Sequence, residues 1–230
     1  MVLHKVFQES LNDLPDPQIC IVFNGGAAGD FFASLLSQQI LACDNLLELD
    51  SNGAVVEPVG QTFKMSAKKF YETGFSPACF FGIKNEPIVS THYCYQQLLD
   101  LFPKCQFYYI DDSSYIDITV EVYIKKRVPS LRDWLQHRLK STDNKLNKKL
   151  THEQIKDIMK NDWSKQSDHW NKLDIQPISL YDIINQKHCL SLIESMLNID
   201  IDVNKFFSTH NKWTNNNQDF VYKVLNDKRI

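Results

Sequence analysis

Ile19-Cys20-Ile21-Val22-Phe23-Asn24-Gly25-Gly26-Ala27-Ala28-Gly29-Asp30-Phe31-Phe32 is the stretch whose reading decides the fold. Residues 19–23 form a continuous apolar run, as in a strand buried on both faces. Three of the chain's seven glycines follow at Gly25, Gly26 and Gly29, so the backbone needs freedom there. Phe32, Leu35, Leu36 and Ile40 recur at helical spacing and predict a helix from Gly29 to about Cys43. A strand, a glycine loop and a helix opening together present unpaired backbone N–H groups at a helix N-terminus, which favours an anion. Asn24, Gly25, Gly26, Ala27, Ala28, Gly29, Asp30 and Phe31 are therefore the candidate phosphate-binding residues.

The loop has a chemical peculiarity. A nucleotide-hydrolysing phosphate loop carries Gly-Lys-Ser/Thr, whereas this chain has Gly29-Asp30-Phe31, with neither the lysine nor the magnesium-binding hydroxyl. No Lys or Arg occurs between Lys5 and Lys64. Nine occur from Lys125 to Lys149. That run reads either as a solvated helix face with its loop or as a cationic flap supplying the missing counter-charge. Asp30 complements the helix dipole and would compete with a phosphate for the same N–H groups.

Outward from the loop, apolar strands alternate with helices. Ile88 to Thr91 is a short strand ending at His92, followed by a helix from Tyr95 to Leu101 that Pro103 stops. Gln106 to Ile110 is a third strand, closed by Asp111-Asp112-Ser113-Ser114. The second half is richer in helix, with segments at about 115–126 and 131–140, then a polar connection at 144–149. Another helix runs from an N-cap at Thr151 through Trp163 to Trp170. A last strand at 175–180 precedes helices near 187–198 and 202–226. Ser51-Asn52-Gly53 is a turn, and Ser66 to Tyr71 is compatible with a short helix. This order predicts an α/β, three-layer fold with a mostly parallel central sheet and a helix-rich C-terminal half, in one domain spanning 1–230.

Composition bounds the function. With 230 residues, 43% hydrophobic, 23% charged and a net charge of −3, the chain resembles an ordinary globular protein. It lacks the strongly basic balance of a nucleic-acid binder and an apolar run long enough to span a membrane. Its first ten residues lack the apolar core of a signal peptide. The six cysteines (Cys20, Cys43, Cys79, Cys94, Cys105, Cys189) form no CxxC pair and read as free thiols in a reducing, cytoplasmic setting. There is no Asn-x-Ser/Thr acceptor, and the histidines at 4, 137, 152 and 188 show no metal-ligand spacing.

In open α/β sheets, ligands gather beyond the carboxyl ends of the strands. Three such ends here carry polar residues: Asn24 to Gly29, Thr91-His92, and Asp111 to Ser114. His92, beside the loop, suits general-base work, or it is simply a hydrogen-bonded structural histidine.

The same residues resemble the cytosolic-type sulfotransferases. That family has a strand–loop–helix reading Tyr-Pro-Lys-Ser-Gly-Thr-Thr-Trp, then Lys-Thr-His at a strand end, a helix stopped by leucine-proline, and a strand ending in Arg. Near its C-terminus comes a Tyr-Glu-Asp-Leu segment. Phe23 to Phe31, Ser90-Thr91-His92, Leu101-Phe102-Pro103, Gln106 to Ile110 and Ile178 to Ile184 continuing to Asp200 follow that order over residues 18–213. The resemblance implies a sulfotransferase-like P-loop fold. The loop would cradle the phosphosulfate of 3′-phosphoadenosine-5′-phosphosulfate (PAPS), with His92 as the base acting on a small-molecule, glycan or peptide acceptor. Thr119 falls near the family's 3′-phosphate-binding serine. Thr209 to Trp213 resembles its late basic-aromatic loop, or marks a helix boundary. The family's loop lysine, the lysine before Thr-His and the 3′-phosphate arginine correspond to Gly25/Gly26, Ser90 and Asp111/Asp112 here. Two other readings stay open: a non-catalytic binding module on the same fold, and a nucleotide kinase.

Overall fold

A computed structural model of the chain describes residues 17–40, 48–51, 53–55, 87–92, 96–125, 150–173 and 175–227. Among the described residues, four strands, β1 (Ile19–Val22), β2 (Ile88–Thr91), β3 (Gln106–Asp111) and β4 (Gln176–Ser179), form a wholly parallel sheet in the order β2-β1-β3-β4. The fold is α/β and mostly helical.

The unbroken apolar run of β1 follows from its central place, because both of its faces are covered. Ile19 and Ile21 look to one side, where they join Phe31, Leu35, Leu36, Ile110, Ile178 and Phe206. Cys20 and Val22 look to the other and join Val89, Phe107, Tyr109 and Trp170. Each such side chain contributes roughly 1.5–3 kcal/mol when fully buried. Helix α1 (Gly29–Ile40) packs on the first side and α2 (Gln96–Leu101) lies before β3. A 3-10 turn at Ser113–Tyr115 leads into helical residues 116–125 (α3), so the helix expected over 115–126 begins with a tighter turn. Helix α4 (His152–Trp170) starts on the expected cap: Thr151 Oγ1 accepts from Gln154 N–H, and Gln154 Oε1 accepts from Thr151 N–H.

After β4, Ser179 caps α5 (Leu180–Ile184), which is followed by α6 (Gln186–Leu197). The single helix expected over 202–226 is instead two, α7 (Val203–Asn216) and α8 (Gln218–Leu225). The break falls at Asn217, whose buried amide donates to the carbonyls of Trp213 and Gly53 and so diverts the chain. Gly53, at φ +71°, closes the expected turn with its N–H on Asp50 O.

Cys20, Cys105 and Cys189 are unbridged. Cys43, Cys79, Cys94, the segment 66–71, the helix expected at 131–140, the connection at 144–149 and the basic run beyond Lys125 lie outside the described residues. Among the described residues, no helix is long and apolar enough to cross a membrane.

Candidate functional site

Strand β1 has β2 on one side and β3 on the other, so the strand order reverses between β1 and β3. The carboxyl edge of a parallel sheet offers a ligand crevice at such a reversal. The β1–α1 loop leaves the sheet there.

The loop glycines are required for steric reasons. Gly26 has φ +83°, and a Cβ on it would sit 2.5 Å from the carbonyl oxygen of Thr119 in α3. Gly26→Ala should therefore lose about 2 kcal/mol or more of stability in urea melts, since both φ and helix backbone resist it. A Cβ on Gly29 would fall within the Phe23 ring, and one on Gly25 within the Tyr123 ring. Ala28 has φ +58°, where a side chain is strained. Ala28→Gly should gain about 1 kcal/mol in the same melts.

Ala27 N–H donates to Asn24 O at 3.1 Å, and Phe32 N–H to Ala28 O at 3.0 Å. The N–H groups of Gly25, Gly26, Ala28 and Gly29 meet no acceptor among the described residues. Asp30, in the first turn of α1, accepts from the buried Ser90 hydroxyl at 3.1 Å. His92 is brought to the loop from the end of β2: its Nδ1 lies 2.8 Å from Phe23 O, and its ring packs on Phe23 at 4.4 Å. A carbonyl only accepts, so Nδ1 carries the proton and the neutral ring has its lone pair at Nε2.

Two other candidates are turned inward. The Phe31 side chain is buried and stacks on Trp213, with centroids 4.2 Å apart and planes within 9°. Thr209 to Trp213 accordingly forms neither a late loop nor a helix boundary; it lies inside α7, where Thr209 donates to Gln38 and His210 meets Phe31 edge-on. Burial holds the His210 imidazole below its usual pKa. Thr119 is fully buried, its hydroxyl 2.8 Å from Asp112 Oδ2.

Asp112 is the centre of a buried network at the β1/β3 reversal. Asn24 Nδ2 donates to Asp112 Oδ1 at 2.9 Å and to Ser167 Oγ of α4 at 3.3 Å, while Asn24 Oδ1 meets no partner among the described residues. Burial pushes Asp112 up to about 6, with the hydrogen bonds from Asn24 and Thr119 pulling the other way. One turn before Ser167, Trp163 meets the Tyr123 ring at 5.4 Å, backing the residue that presses on Gly25.

No family model matches the chain, and neither does any curated protein or solved structure.

What the site can do rests on these groups: a row of N–H donors, an oriented imidazole, and a buried carboxylate behind the loop. Among the described residues no cluster of three His, Cys, Asp or Glu side chains is placed to hold a metal ion. Sequence reasoning placed Asp112 at a strand end but missed its hydrogen bonds from Asn24 and Thr119, and the further bond from Asn24 to Ser167. The Asp112/Thr119 spacing of seven, two helical turns, was a faint signal of this network. Ser167 and Trp163, four apart on one helix face, gave another.

Proposed function

We propose that the chain is a sulfotransferase-like transferase whose β1–α1 loop holds the phosphosulfate of PAPS and whose His92 is the general base. The observation that carries this reading is the 2.8 Å contact from His92 Nδ1 to Phe23 O, which ties the imidazole to the strand bearing the loop. PAPS, when bound, supplies the activated sulfuryl group. His92 Nε2 takes the proton of an acceptor hydroxyl or amine as the acceptor's new bond to sulfur forms and the sulfur–oxygen bond to the 5′-phosphate breaks. The N–H groups of Gly25, Gly26, Ala28 and Gly29 stand to share the charge growing on the bridging oxygen. The loop therefore fits an anion. Thr119 does not fit a 3′-phosphate, since its hydroxyl is buried against Asp112. His92→Ala is expected to abolish transfer; transfer surviving it would remove the base assignment.

A second reading, a non-catalytic binding module, is favoured by the filling of the crevice: Asp112, Asn24 and Thr119 occupy the β1/β3 reversal and Tyr123 covers Gly25. A nucleotide kinase is less well supported, because Asp30-Phe31 replaces the Lys-Ser/Thr that magnesium-ATP chemistry uses. Calorimetric titration with 3′,5′-adenosine bisphosphate and with ATP, with and without magnesium, separates the three. Binding of the bisphosphate alone supports the transferase, magnesium-dependent ATP binding the kinase, and silence to both the binding module.

A further inference from the structure

Among the described residues, Asp112 is the one fully buried carboxylate, and it stands directly behind the loop. Its Oδ1 is 2.9 Å from the side chain of Asn24, which opens the loop. Its Oδ2 is 2.8 Å from the hydroxyl of Thr119, whose carbonyl abuts Gly26. We propose that Asp112 takes up a proton when the loop takes an anion, so that phosphate-type ligands bind in competition with the ionised carboxylate. This rests on the reading of the loop as an anion site.

The network accepts a neutral Asp112 without losing a bond. A proton from solvent on Oδ2 donates to Thr119 Oγ1, whose own hydrogen turns to Ile116 O at 3.2 Å, and Asn24 still donates to Oδ1. With the carboxylate ionised, a second negative charge at the loop meets a like charge in a place shielded from water, which raises the cost of both. The groups turned toward Asp112 do not relieve that cost. Asn24 after β1 and Thr119 from α3 are neutral, as is Ser167 of α4 behind Asn24, and among the described residues the one charge acting on Asp112 is its neighbour Asp111, of the same sign. Burial already brings the group to about 6, within reach of neutral pH, so a nearby anion needs to move it only a little.

The test titrates 3′,5′-adenosine bisphosphate into wild type and Asp112→Asn from pH 5 to pH 8. The variant keeps the shape of the neutral acid and reports every pH dependence of binding that does not come from Asp112. The ratio of variant to wild-type affinity is expected to be near one at pH 5 and about tenfold at pH 8. A ratio that stays flat while both proteins bind overturns the proposal and leaves the anion site standing. Absence of binding in both at every pH removes the anion site, and the proposal with it. In wild type alone, the ¹³C carboxyl resonance of Asp112 should titrate with a midpoint about one pH unit higher when the ligand is saturating. An unmoved midpoint with ligand bound overturns the proposal even where the variant does not fold.

Discussion

Replacing Trp213 with alanine is expected to cost about 3–5 kcal/mol of unfolding free energy in urea melts. The indole is 4% exposed and stacks flat on Phe31, while Phe220 of α8 meets it edge-on at 6.0 Å. Truncation removes both aromatic contacts and leaves a void in the close-packed core. Phe31 is in the first turn of α1, so the loss falls on the helix that receives the glycine loop. Trp213→Phe should recover most of the stability, because a smaller ring still stacks on Phe31. A loss under about 1 kcal/mol for the alanine variant would show that this aromatic stack does not hold α1 in place.

The second large effect has the opposite sign from most core substitutions. Asp112→Asn should make the protein more stable than wild type by about 3 kcal/mol above pH 7, and by little near pH 4. The folded carboxyl titrates at about 6 against 3.8 for the free group. Between those values the folded protein binds more protons than the unfolded chain. The stability this group gives is thus fully present below about 3.8 and is lost as pH rises through 6. Asparagine removes the loss yet still accepts from Asn24 and donates to Thr119. His210 works the other way, since its lowered pKa gives stability above 6.5 that is lost as pH falls. The difference between wild type and Asp112→Asn cancels that contribution. A stability difference independent of pH, or one that favours the variant less at pH 7 than at pH 4, would contradict the placement of this carboxyl.

The sheet was legible where burial leaves a pattern in the residues themselves. Residues 19–23 are apolar without interruption because both faces of β1 are covered, and Thr151 was legible as an N-cap, to which the structure adds Gln154 as its capping-box partner. The site was less legible. Asp111-Asp112 after a strand looks like a solvated turn, and only the closing of α3 and α4 over the sheet turns one of the two into a buried acid. Phe31 and Phe32 look alike in sequence, and nothing local says that Trp213, nearly two hundred residues on, lies flat against the first of them. The break at Asn217 escaped notice because asparagine carries no steric signature of a helix end; its amide acts through a distant partner, Gly53.

The middle position of β1 has a consequence for how the chain is assembled. Ile19 finds its partners at Ile88 and Gln106, so neither edge of this strand can pair before Ile88 is made, and both are covered only once Gln106 has followed. At ribosomal speeds that is a delay on the order of ten seconds. During it, an oily tetrapeptide stands without its strand partners. The piece of the protein that is made early is thus the piece seated late.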